Sequence, residues 1–155
     1  MGTLSRVAGL MALGTVAALT GIQFVSAQRT NPPSRDPLVA PPQIERILRR
    51  ACYDCHSNET RWPWYSHIAP ISWLVVHDVT VARQEVNFSE WGSYYSATRR
   101  HKLQWIGRIL HEGKMPPWEY RLLHPVARLN PSDKSALEEW IASTLAVSSP
   151  EQSQP

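Results

Sequence analysis

The feature that most restricts this chain is Cys52-Tyr53-Asp54-Cys55-His56, a single C-x-x-C-H that uses both of its cysteines. Two thiols three residues apart on one helical turn can reach the two vinyl groups on a porphyrin edge. The residue after the second thiol then turns its imidazole under the iron. The spacing therefore reads as covalent attachment of a c-type haem, with thioethers at Cys52 and Cys55 and His56 as proximal ligand. Competing uses of the motif lack their other parts. A thiol–disulfide motif belongs beside a βαβ pattern, which is missing here, and a zinc site wants a second Cys or Cys/His pair.

Haem attachment requires export, and the amino terminus provides for it. Val7 to Gln28 carries no charge, and Arg6 stands just before the run, which is the layout of an export signal. Val25-Ser26-Ala27 offers cleavage after Ala27, whereas Leu4 to Ala27 is long enough to serve as a retained transmembrane anchor, the option favoured slightly here. Residues 1–28 are thus read as signal or anchor, and the rest is expected on the periplasmic side of the membrane. Prolines 32, 33, 37, 41 and 42 make 29–42 a semi-rigid linker, either a stalk or a strap over the domain surface. A haem-binding domain is expected over 43–147 and a disordered polar tail over 148–155. The net charge of +3 is spread along the chain and forms no stripe of the kind that binds nucleic acid.

Within the domain, Ile44, Ile47, Leu48 and Ala51 recur at helical spacing, and the stripe continues onto Cys52 and Cys55. Glu45, Arg46, Arg49 and Arg50 fall on the opposite face. A loop over 57–68 carries Trp62, Trp64 and Tyr65, rings that either shield a porphyrin edge or fill core. A helix is expected from Pro70 to about Val86, with Ile71, Leu74, Val75, Val79 and Val81 or Ala82 as its apolar set. Asn87 to Gly92 reads as a turn that tucks Phe88 and Trp91 inward. A third helix is expected from Thr98 to Glu112, with Leu103, Ile106, Ile109 and Leu110 inside and Gly113 as its stop. The Asn130-Pro131-Ser132-Asp133 start precedes a last helix bearing Leu137, Trp140, Ile141 and Leu145.

Just past the Gly113 stop stands Met115, the one methionine outside the leader. A methionine between a glycine helix end and two prolines suits a distal haem ligand, although gap-filling in the core is the usual role of Met. His67 and His124 are the rival ligands, and His77, His101 and His111 are weaker ones.

From Asn31 to Trp140 the chain resembles a bacterial haem-binding domain family of exported or membrane-anchored proteins with c-type cytochrome character. The resemblance rests on Cys52 to Thr60, Trp62 to Ser66, Ile68-Ala69-Pro70 and Asn87 to Trp91. Met115-Pro116 with Tyr120, His124-Pro125 with Ala127 and Leu129, and Trp140 complete it. Ala82 departs from it, standing where glycine is expected, with no effect foreseen on the iron site. The resemblance implies haem binding and carries no substrate. The expected fold is all-α, a small cytochrome c-like domain of about four helices around one covalent haem. The expected function is monohaem electron transfer with an unidentified redox partner in the cell envelope. The alternative is a haem sensor or peroxidase-like enzyme with an open distal site, for which His124, His67 or Glu112 would be the distal base.

Overall fold

In a computed structural model, residues 2–147 are described; Met1 and the tail expected over 148–155 lie outside the described residues. Among the described residues there are seven α-helices and four short 3-10 helices, and no strand. The α-helices are α1 (Gly2–Gly21), α2 (Pro42–Ala51), α3 (Tyr53–His56), α4 (Ile71–Glu85), α5 (Ser96–His111), α6 (Trp118–Leu123) and α7 (Pro131–Val147). The chain is therefore an all-helical small domain behind an apolar amino-terminal helix. Gly2–Phe24 is long and apolar enough to cross a membrane, and none of it is buried in the domain.

Helix α2 starts with proline at its first position, where no amide hydrogen is needed, and buries Ile44, Ile47, Leu48 and Ala51. It does not run unbroken into the cysteines. Cys52 leaves helical geometry at φ −128° and ψ −35°, and α3 restarts at Tyr53. The ladder carries across this kink, with Cys52 N–H donating to the Leu48 carbonyl (2.8 Å) and His56 N–H to that of Cys52 (2.9 Å). Helix α7 begins with a reciprocal cap. Asp133 N–H donates to Asn130 Oδ1 at 2.8 Å, and Asn130 N–H to Asp133 Oδ2 at 3.0 Å. Arg50 reaches the same Asp133 oxygen at 2.7 Å, fastening α2 to α7. Leu48 and Leu137, the largest buried aliphatics, are 2 % and 1 % exposed and join Ile44, Ile47, Leu103, Leu110 and Ile141 in one core.

Helix α4 divides its apolar residues differently from the expected set. Val79 is buried, together with Ser72, while Ile71 and Leu74 face outward. Both faces of this helix are apolar, so periodicity alone does not select the inner one.

The proline-rich segment lies along the domain. Leu38 N–H donates to the Phe88 carbonyl at 2.8 Å, Arg35 and Asp36 N–H both donate to Ser89, and Gly92 N–H donates to Asp36 at 2.9 Å. A Cβ at Gly92 would fall 2.2 Å from the Asp36 side chain, so glycine is what allows this close approach. The segment is a strap, the second of the two expected arrangements.

Candidate functional site

The loop after His56 and the turn before α5 are locked together by buried polar groups. Asn87 Nδ2 donates to Asn58 Oδ1 (2.9 Å), Asn58 N–H to Ser89 Oγ (2.9 Å), and Ser89 N–H to Asn87 Oδ1 (3.0 Å). Ser57, Asn58, Ser89 and Asn87 are all buried, and each finds a partner, as buried polar groups must. The lock sets Phe88 at the site, stacked on Tyr53 with ring centroids 5.4 Å apart and edge-on to His56 at 6.2 Å.

His56 is oriented from α4. Its Nδ1 lies 3.0 Å from the Ala82 carbonyl and 3.1 Å from that of Val86. Two acceptors at one ring nitrogen assign the proton to Nδ1 and leave the Nε2 lone pair free, which is the usual second-shell device for a metal-ligating histidine. Burial pulls the imidazole pKa below its ordinary value, while the two carbonyls act in the opposite direction. The ring is therefore neutral at pH 7. Ala82, foreseen as remote from the site, contributes one of these carbonyls; any residue there would supply the same oxygen.

Cys52, His56 and Met115 line one cavity, together with Leu48, Val86, Phe88 and Leu137 and with Trp105, Ile106, Ile109 and Leu110 of α5. Met115 is placed by the end of α5, where Gly113 has φ +67°. Gly113 N–H donates to the Leu110 carbonyl (3.0 Å) and Lys114 N–H to that of Ile109 (3.1 Å), a Schellman closure whose left-handed residue favours glycine. Cys55 is not part of the cavity wall. Burial pushes the Cys52 thiol up to about 12 and the Cys55 thiol up to about 11, so both free thiols are protonated at neutral pH.

The other candidates do not reach this cavity. His67 is exposed. His124 has its Nε2 2.8 Å from the Tyr65 hydroxyl and is stacked on Tyr120 at 4.2 Å. Tyr120 in turn donates to Asp54 Oδ2 at 2.7 Å, so this network braces α6 against α3. Glu112 is solvent-exposed and paired with Lys114. Trp64 neither covers the cavity nor fills core, being 73 % exposed.

One residue that holds the site was missed in the sequence. Arg83 donates from Nε to the Ser57 carbonyl (2.8 Å), from Nη1 to that of Thr30 (2.9 Å), and from Nη2 to Asn31 Oδ1 (3.0 Å) and Thr60 Oγ1 (2.8 Å). It ties the strap and the attachment loop to α4. Its partners lie 23 to 53 residues away in the chain, so no local pattern announces it.

The residues fit a haem: the neutral imidazole of His56 and the thioether of Met115 share one apolar cavity and could ligate its iron, and the thiol of Cys52 in the same cavity, with Cys55 three residues on, could react with its vinyl groups. Among the described residues no group of three or more His, Cys, Asp or Glu is assembled for a bare metal ion. The cavity measures about 40 Å³, well under the roughly 300 Å³ at which cofactor pockets begin. Admitting a macrocycle thus requires the residues around Cys52 and His56 to open further.

A sequence model of the haem-binding domain family matches residues 17–143. The chain belongs to that family, and haem binding follows from it. No curated protein and no solved structure matches the chain.

Proposed function

We propose that this member of the haem-binding domain family carries one covalent haem c and works as a monohaem electron-transfer module on the periplasmic side of a bacterial inner membrane. Cys52 and Cys55 would hold the group through thioethers, and His56 and Met115 would be the residues that ligate its iron. The observation that carries the reading is that His56 and Met115 line one cavity while the rival ligands, His67 and His124, stand outside it. The apolar helix Gly2–Phe24 supports a membrane location.

When bound, the haem supplies a one-electron iron couple. The chain's own residues supply the rest. The Ala82 and Val86 carbonyls hold the Nδ1 proton of His56, which raises the ligand's basicity and fixes its plane. Leu48, Phe88, Ile106 and Ile109 exclude water from the site. The Schellman closure at Gly113 holds Met115 on firm backbone, as a weak sulfur ligand demands. Neither Glu112, His67 nor His124 reaches the cavity to act as a distal acid or base, which favours electron transfer over peroxide chemistry.

The test is the holoprotein produced with a haem-attachment system. Acidified acetone should leave the haem on the wild-type chain and release it from Cys52→Ala/Cys55→Ala. Carbon monoxide should leave the ferrous spectrum unchanged. Extraction of haem from the wild type would overturn covalent attachment, and a carbon monoxide adduct would overturn the closed distal site in favour of a sensor or enzyme.

A further inference from the structure

The outward face of α4 is unusual for a domain in water. Ile71 and Leu74, neighbours at helical spacing, are 47 % and 61 % exposed, and Trp73 and, just before the helix, Ile68 are exposed as well. Trp64 extends the patch from the 64–67 turn that packs against α4. Exposed apolar residues that gather in this way mark an interaction surface.

The end of the apolar amino-terminal helix is bonded into this patch. Gln23, in the turn that closes the helix, donates through Nε2 to the Ala69 carbonyl at 3.1 Å and accepts the Ala69 N–H through Oε1 at 3.0 Å. The Trp73 indole donates to the Val25 carbonyl at 3.0 Å, and Arg29 donates to the Ser66 carbonyl at 2.9 Å. Residues 23, 25 and 29 are therefore fastened in succession to the segment 66–73. A helix that leaves a bilayer at Phe24 brings that segment to the level of the lipid headgroups, where tryptophan rings with an apolar body and a polar N–H are favoured.

We propose that the face formed by Trp64, Ile68, Ile71, Trp73 and Leu74 seats in the bilayer surface beside α1, so that the domain lies on the membrane instead of standing clear of it. The proposal rests on α1 being retained as an anchor and is independent of the iron ligands.

The test uses the full chain in vesicles of phosphatidylethanolamine and phosphatidylglycerol that contain a trace of lipid with a carbene-generating group in its acyl chain. After illumination, labelled residues are mapped by mass spectrometry. Labelling of 64–74 should match that of the last turn of α1 and exceed several-fold that of the exposed Glu138 and Glu139 on α7. Labels confined to α1 would overturn the proposal. So would lipid labelling of 64–74 in vesicles that disappears in native membranes, since a protein would then cover the face. A mature chain beginning at Gln28 would overturn it too, because Gln23 and Val25 would be gone.

Discussion

The Nδ1 of His56 lies 3.0 Å from the carbonyl oxygen of Ala82, a residue 26 positions further along the chain. This bond, shared with Val86, orients the imidazole, while burial of the ring keeps it neutral and makes the stability of the haem-free chain depend on pH. Burial lowers the folded pKa below the ordinary 6.5, so the unfolded chain binds more protons in the window beneath that value. The contribution is complete above pH 6.5 and is lost as pH falls through the folded value. Urea unfolding of the haem-free chain should show stability declining below about pH 6.5, with His56→Ala lacking that part of the slope.

The buried thiols act at the other end of the scale. Their folded pKa values, about 12 for Cys52 and about 11 for Cys55, exceed the ordinary 9.0. The folded chain keeps protons that the unfolded chain releases, so their stabilisation is intact below pH 9 and disappears as pH rises through 11 to 12. Denaturant titrations of the haem-free protein should lose stability across this range more steeply than those of Cys52→Ala/Cys55→Ala. Thioether attachment should abolish the difference.

Arg83 offers a test of how the attachment loop is held. Removing its four hydrogen bonds in Arg83→Met should cost about 3 kcal/mol of unfolding free energy. The strap around Thr30 and Asn31 should become a site of early proteolysis. Arg83→Lys should restore little, since an ammonium does not reproduce the planar fork that serves Ser57, Thr30, Asn31 and Thr60 together.

Gly113→Ala probes the support of Met115. Nothing crowds a Cβ there, so the cost is that of a left-handed backbone, about 1 kcal/mol measured by thermal or denaturant unfolding. Because Met115 follows two residues later, the same variant should show a larger fraction of high-spin iron in the holoprotein.

Local chemistry was legible in the sequence where the cause is local. C-x-x-C-H, the glycine stop at Gly113 and the Asn130 cap each announce themselves within a few residues, and α2, α5 and α7 follow from their apolar spacing. The short α6 was not foreseen, because six residues are too few for a period to show. The outward turn of Ile71 and Leu74 was hidden because an apolar face bound for lipid or a partner has the composition of one bound for a core. The strap's course depends on carbonyls of Phe88 and Ser89, 50 to 54 residues on, and composition does not carry that pairing. The engagement of His124 by Tyr65, 59 residues away in the chain, is hidden in the same way.

The central claim is that His56 and Met115 share one iron, and an absorption spectrum of the oxidised holoprotein tests it most directly. The account predicts a low-spin spectrum with a sulfur-to-iron charge-transfer band near the red edge, lost in Met115→Ala with a rise in high-spin iron. A wild-type spectrum without that band, unchanged by the substitution, would contradict it.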